Sequence, residues 1–396
     1  MSTTRAEPGR PDIAYRCWRP GDDDQLWPMI ESVGWLSESR YAAKFNDAGL
    51  MEDSIVVAEA GDEIVGHCLT AVRTLVHGDA RLRIGNVGQV IVREEYRGRG
   101  IGAELYARTL SFAARNGICA IWLVAHPDGG PAYEMYMRRG FGIVQGRMAS
   151  IVETRSSRKG LNVRKVRPTK TRITSNLRRK FAATTAGVED RNTDVSNGTE
   201  WYIVRDAEIP VAAAAIRFVD DQWTLASLLY DTNTDPADYL NAVATALELT
   251  TFQLHGSPRG HLVEATPGFQ WEKRSGENLF HIVSLRRLLG QLAPFLRTRG
   301  RSLGLKSTRL TVSARDEAIA IQFAQGNVSL ADPLPGDSEL SFNGGGLIPA
   351  LFGTLNLREE VAEGRVTFDA GNLDLDTAMA WLLPFEYCDF TQLAGW

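Results

Sequence analysis

The stretch Val90-Ile91-Val92-Arg93-Glu94-Glu95-Tyr96-Arg97-Gly98-Arg99-Gly100-Ile101-Gly102-Ala103 constrains this chain more than any other. A β-rich run passes through a turn into a helix whose first turn is built from Gly and Arg. Helix N-termini leave up to four backbone N–H groups without intrahelical acceptors, and glycine lets the backbone close on a ligand. Arg97 to Ala103 therefore makes an anion cradle, with Arg97 and Arg99 adding charge-assisted bonds from the rim. A pyrophosphate fits such a seat. No Gly-Lys-Ser/Thr follows, so this is not a Walker loop, and Ala103 and Leu105 stand where a dinucleotide fingerprint needs glycine. The plainer alternative is a surface turn with incidental arginines; the strand before it and the amphipathic helix after it weigh against that.

The surrounding residues extend the α/β pattern over a first block ending near Val152. Val56–Ala58 and Ile64–Cys68 flank the Gly61-Asp62 turn signal and read as a hairpin. Ala71–Val76 and Asn86–Val92 read as strands. Gly102–Asn116 reads as a helix with Ile101, Leu105 and Phe112 on one face and Gly117 as its cap. Ala120–Ala125 is a buried-strand pattern, Ala132–Arg139 a short helix stopped at Gly140, and Phe141–Val144 a further strand.

Arg155 to Lys180 carries eleven Lys or Arg and no Asp or Glu, followed by a Thr-rich polar stretch to about Gly198. It reads as a linker or exposed bridge. A nucleic-acid arm would interleave aromatic residues with such charge, and here none is present. The next block predicts strands at Trp201–Arg205, Val211–Val219 and Trp223–Tyr230, a helix over Pro236–Phe252 capped by Asp235, and a strand near His261–Ala265. It has no glycine loop, so it reads as scaffold. In the last block Leu285–Leu296, Gly346–Phe352 and Leu373–Leu383 read as helices, with a hairpin at Arg309–Ser313 and Ala318–Phe323 and a strand at Arg365–Phe368.

Composition sets outer bounds. A chain of 396 residues with 44% hydrophobic and 23% charged residues has material for more than one core, and length alone allows two to four domains. The net charge of −4 marks no polyanion partner. The N-terminus lacks a signal-peptide apolar core, and no run of about 18 apolar residues occurs, so a cytoplasmic chain without a membrane span is expected. Cys17, Cys68, Cys119 and Cys388 form no CxxC pair and the six His no HxH or HxxxH cluster, so no metal is expected.

Arg97, Gly100 and Gly102 fill the Arg-x-x-Gly-x-Gly pattern, which resembles the coenzyme A pyrophosphate motif of the GCN5-related N-acetyltransferase superfamily. Downstream, Tyr136-Met137-Arg138-Arg139-Gly140-Phe141 is similar to the same family's Tyr-x-x-x-Gly-Phe segment. The resemblance covers about Ile13 to Val152. The whole layout resembles the enhanced intracellular survival acetyltransferases: an acetyltransferase domain over 1–155, a second lacking the coenzyme motif over 156–279, and a domain similar to sterol carrier proteins over 280–396. The implied fold class is α/β and α+β, with tandem mixed sheets, flanking helices and a C-terminal α+β domain. That resemblance also implies a homo-oligomer, commonly a hexamer in that family.

The resemblance implies acetyl-CoA as co-substrate and direct attack by an acceptor amine. Val90 and Val92 would line the pantetheine arm, the Val90 N–H would act as an oxyanion donor, and Arg97, Gly98, Arg99, Gly100 and Gly102 would hold the pyrophosphate. Tyr136 takes the family's general-acid position, against the alternative of a core aromatic. Asn86–Val92 contains no ionisable side chain, so the base lies elsewhere; in the survival family an aromatic terminal residue supplies its carboxylate, and Trp396 matches that, although residues 385–395 match no family motif. Trp35 is the candidate wall of the acceptor pocket, with Glu386 and Asp389 as candidate charges. The expected activity is acetylation of a cationic amine such as an aminoglycoside or polyamine. A protein-lysine or small-metabolite acetyltransferase is the enzymatic alternative, and a lipid- or acyl-CoA-binding module the non-enzymatic one.

Overall fold

Gly61 adopts a left-handed conformation (φ 64°) and turns the first two apolar runs into an antiparallel hairpin, Ala60 opposite Glu63. In this computed structural model the described residues are 12–34, 49–51, 53–77, 79–127, 130–144, 147–151, 160–166, 186–188, 200–219, 222–230, 235–249, 252–256, 269–273, 277–343, 345–352 and 355–383. They divide into two units, residues 1–72 with 85–118 and residues 73–84 with 119–396.

The first unit contains β1 (Ile13–Cys17), α1 (Asp23–Glu31), β2 (Ile55–Ala60), the first ten residues of β3 (Glu63–His77), the end of β4 (Ala80–Val92) and α2 (Ile101–Arg115). Its sheet runs β1-β2-β3-β4. The expected strand at Ala71–Val76 is not separate: it is the second half of β3, whose apolar and β-branched run continues without a turn residue. α2 presents Ile101, Leu105 and Phe112 to the core, as their spacing predicts. It lies close on β3 at Gly66, where a Cβ would meet Ile101 Cγ2 at 3.0 Å and Leu105 Cδ1 at 3.3 Å. That contact fixes the height of the α2 N-terminus over the sheet.

In the second unit, the outer ends of β3 and β4 join β5 (Ala120–Ala125), and Cys119 N–H donates to Arg83 O at 2.9 Å. α3 (Pro131–Arg138) and β6 (Gly142–Val144) follow as expected. The next strand, β7 (Arg147–Ile151), pairs instead in a seven-stranded sheet. That sheet includes β8 (Leu161–Val166), while β9 (Ala186–Val188) pairs with β3. The expected linker thus carries two short strands: Leu161, Val163 and Val166 are partly buried while Asn162, Arg164 and Lys165 are exposed, an apolar pattern hidden by the charge run.

The rest of that sheet is β10 (Glu200–Asp206), β11 (Ile209–Val219), β12 (Gln222–Tyr230), β13 (Phe252–Gly256) and β14 (Trp271–Lys273), in the order β14-β7-β13-β12-β11-β10-β8. α4 (Pro236–Ala246) starts on the Asp235 cap, whose carboxylate accepts from Ala237 N–H at 2.8 Å. It ends six residues short of expectation because Glu248 turns left-handed (φ 53°) and Leu249 N–H returns to Ala244 O. The expected strand at 261–265 lies outside the described residues.

β15 (Glu277–Ile282) returns to the first sheet and lies antiparallel between β5 and β6, with Trp122 Nε1 donating to Asn278 Oδ1 at 3.1 Å. α5 (Leu285–Ser302) then places Leu285, Leu288, Leu289, Leu292 and Leu296 on one buried stripe. The stripe shares a core with a five-stranded sheet built from β16 (Thr308–Ala314), β17 (Glu317–Ala324), β18 (Asn327–Ala331), β19 (Ser338–Phe342) and β20 (Val366–Asp369), ordered β18-β17-β16-β19-β20. The helices α6 (Leu347–Leu351), α7 (Leu357–Ala362) and α8 (Leu375–Leu382) complete it, with Trp381 Nε1 donating to Leu296 O at 2.9 Å. The architecture is mixed α/β with several sheets and flanking helices. Among the described residues no helix is long and apolar enough to cross a membrane.

Candidate active site

β4 does not run straight into the glycine turn. Gln89 takes a left-handed conformation (φ 53°), which is uncommon for a residue other than glycine. Ile84 through Gln89 are all buried, and Val90 and Val92 are half-buried with Ile91 inside. His67 Nδ1 lies 3.1 Å from Gln89 O. A carbonyl oxygen only accepts, so Nδ1 carries the proton and the ring donates to the irregularity.

Past β4, a single turn of 3-10 helix at Glu94–Tyr96 leads into the cradle. It is tied to the start of β3 from several directions. Arg93 N–H donates to Val65 O at 2.9 Å, Arg93 Nε to Ile64 O at 2.8 Å, and Arg93 Nη1 stands 3.3 Å from the Glu63 carboxylate. Tyr96 Oη donates to Glu63 Oε2 at 3.1 Å, which raises the phenol above its ordinary pKa; desolvation is the larger cause and the bond to Glu63 the second. Arg99 lies over the Tyr96 ring, 4.6 Å from its centroid, with Nη2 donating to Glu95 O at 3.2 Å. Arg97 Nε donates to Val92 O at 3.2 Å.

Gly98 and Gly100 have φ of 77° and 78°, so the first motif glycine, Gly100, and the neighbouring Gly98 are both left-handed, while Gly102 lies in the first turn of α2. Gly100 is the N-cap of α2 and no side chain caps it. The amides of Ile101, Gly102 and Ala103 therefore lack intrahelical acceptors at an exposed helix start, beside two exposed arginines. A Cβ at Gly102 would meet only Val92 Cγ2, at 3.9 Å, so the space over that turn is open to a ligand. Positive φ, free first-turn amides and guanidinium groups together form a donor set suited to a pyrophosphate.

Thus Val90, Val92, Arg97, Gly98, Arg99, Gly100 and Gly102 come together at one strand-to-helix junction of the first unit. Tyr136 belongs to the second unit. It is buried in the last turn of α3 and packs edge-on against Phe141, with ring centroids 5.2 Å apart. Trp35, Trp396, Glu386 and Asp389 lie outside the described residues. Among the described residues no group of three or more His, Cys, Asp or Glu is placed to hold a metal ion. Reading the motif alone misses Glu63, Arg93 and Tyr96, which anchor the loop; only the aromatic residue directly before Arg97 hinted at them. Gln89 and His67 leave no signal in the sequence.

Residues 22–141 match the model of the acetyltransferase (GNAT) family. A mycothiol acetyltransferase from Streptomyces bingchenggensis is 29% identical over 144 residues, covering 34% of this chain and 45% of that protein. One from Pseudarthrobacter chlorophenolicus is 28% identical over 160 residues, covering 36% and 48%. The chain thus matches less than half the length of these curated relatives. Among solved structures, a GCN5-related N-acetyltransferase from Kribbella flavida superposes with a TM-score of 0.68 at 15% identity, over 97% of this chain and 99% of that one. Eis1 from Mycobacterium abscessus gives 0.60 at 15% identity, over 95% and 98%. At these identities the structural likeness shows a shared fold.

Proposed function

We propose, from the premise that residues 22–141 are a GNAT-type acetyltransferase domain, that this chain acetylates a primary amine of a small cationic acceptor such as an aminoglycoside or polyamine. The observation that carries the reading is the cradle itself: two left-handed glycines, open first-turn amides and two exposed arginines at the end of an irregular strand. Acetyl-CoA, the co-substrate of this family, supplies the activated acetyl group.

The chain's own residues bind and orient it. Arg97, Arg99 and the amides from Ile101 to Ala103 hold the pyrophosphate. The backbone of Val90 and Val92 takes the pantetheine arm, and the left-handed Gln89 just before them sets the direction of the Val90 N–H as a preorganised donor. Tyr136 is assigned as the general acid on its motif position, since a phenol donates without first carrying charge. We divide the chain at 1–155, 156–279 and 280–396, the last as a sterol-carrier-like domain; the whole-length fold likeness to Eis1 supports that layout. An oligomer, up to the hexamer of the survival family, and a cytoplasmic setting belong to the same proposal. The shared name of the curated relatives favours a second reading, a mycothiol-type small-molecule acceptor.

Thiol release from acetyl-CoA, followed with neomycin, spermidine, a lysine peptide and an amine precursor of mycothiol, tests the assignment. Saturable release with neomycin or spermidine is expected. Release with the precursor alone moves the assignment to the second reading, and no release with any of the four contradicts an amine acetyltransferase.

A further inference from the structure

A chain of contacts in the second unit reaches Tyr136 from a hairpin that the proposed reaction does not otherwise use. α3 ends at left-handed Gly140 (φ 74°), and the N–H groups of Arg139 and Phe141 both return to Tyr136 O, at 3.0 and 3.4 Å. The Tyr136 backbone and the helix cap are one wound turn. The Phe141 ring that packs on Tyr136 also stands 5.1 Å from the ring of buried His281 in β15.

His281 bonds to the Arg139 backbone, and its ring faces the guanidinium of Arg315. Arg315 Nη1 lies 3.2 Å from Nδ1, contacts Nε2 as well, and is 3.4 Å from Ile282 O. Arg315 sits at the β16–β17 turn with φ 57°, a conformation costly for a side-chain-bearing residue. A guanidinium has no acceptor and keeps its proton, so an imidazole nitrogen facing it must accept. The ring is then neutral, one of its nitrogens accepting from Arg315. Burial first, then the Arg315 charge, hold the His281 pKa down to about 4, in accord with a neutral ring. Gly142 lies directly after Phe141 and is in backbone contact with Gly345, so a second point of the last block bears on the same segment.

We propose that Arg315 is a positioning residue for Tyr136: it fixes the protonation and orientation of His281, which with Phe141 holds the last turn of α3 and the Tyr136 ring in one arrangement. This rests on Tyr136 acting as the general acid.

Arg315→Ala, Arg315→Lys, Tyr136→Phe and the Ala/Phe double variant, in the full chain, are compared by steady-state kinetics with acetyl-CoA and neomycin. Amide exchange at Arg139 and Phe141 is measured alongside. Arg315→Ala is expected to lower kcat about tenfold with an unchanged KM for acetyl-CoA, to add nothing in the Tyr136→Phe background, and to speed the two amides about tenfold, as coupled neighbours do. Arg315→Lys is expected to recover most of the lost kcat. Wild-type kcat in Arg315→Ala, or losses that multiply in the double variant, overturns the proposal. If Tyr136→Phe keeps full activity the general-acid reading fails, and if neomycin is not acetylated the acceptor reading fails; in either case exchange alone decides: faster amides sustain the positioning, unchanged amides overturn it.

Discussion

Arg97, Gly100 and Gly102 were legible from sequence because the chemistry they serve is local: a left-handed turn, a helix start and a flanking charge lie within six residues of one another. Gln89 and Arg315 were not legible, since a non-glycine residue driven left-handed leaves no trace in its own identity. His281 was equally opaque, because its character comes from its burial and from Arg315, a residue 34 positions on. Held to about 4 in the folded chain against an ordinary 6.5, His281 binds fewer protons folded than unfolded between those values. Its contribution to stability is therefore complete above pH 6.5 and is lost as pH falls toward 4. Thermal unfolding midpoints recorded from pH 7 to 4 are expected to fall more steeply for the wild type than for His281→Asn; parallel profiles would remove His281 from the account.

Elements with strong local periodicity matched expectation closely: β5 over Ala120–Ala125, α2 with its buried stripe, the hairpin at Gly61. Pairing between distant segments did not show in the sequence. β7 was read with the first block but pairs with β13 and β14, and β15 returns from beyond residue 270 to lie between β5 and β6. Neither strand carries a mark of its partner, because an alternating or apolar strand fits any complementary edge. The segment before α6 also comes close to β6, and that approach is built from glycine. A Cβ on Gly142 would come within 2.0 Å of Gly345 O and 2.7 Å of Pro349 Cδ, and backbone cannot yield as a flexible side chain does. Gly142→Ala is expected to destabilise the chain by about 3 kcal/mol, the upper range for overpacking. Urea unfolding measures it, and a midpoint unmoved from wild type would show that the segment gives way at no cost.

Across the whole chain, a net charge of −4 hides a local concentration of Arg93, Arg97 and Arg99 at one strand-to-helix junction. One continuous core in the second unit joins the outer ends of β3 and β4, β5, β15 and the five-stranded sheet, so the last block is packed into that unit and not appended to it. The central claim is that the junction after β4 binds acetyl-CoA through its pyrophosphate. Calorimetric titration of acetyl-CoA into the wild type and Arg97→Ala tests it most directly. Saturable binding, weakened about tenfold by loss of one charge-assisted contact, is the predicted result; equal affinity for both proteins, or no binding to the wild type, would contradict it.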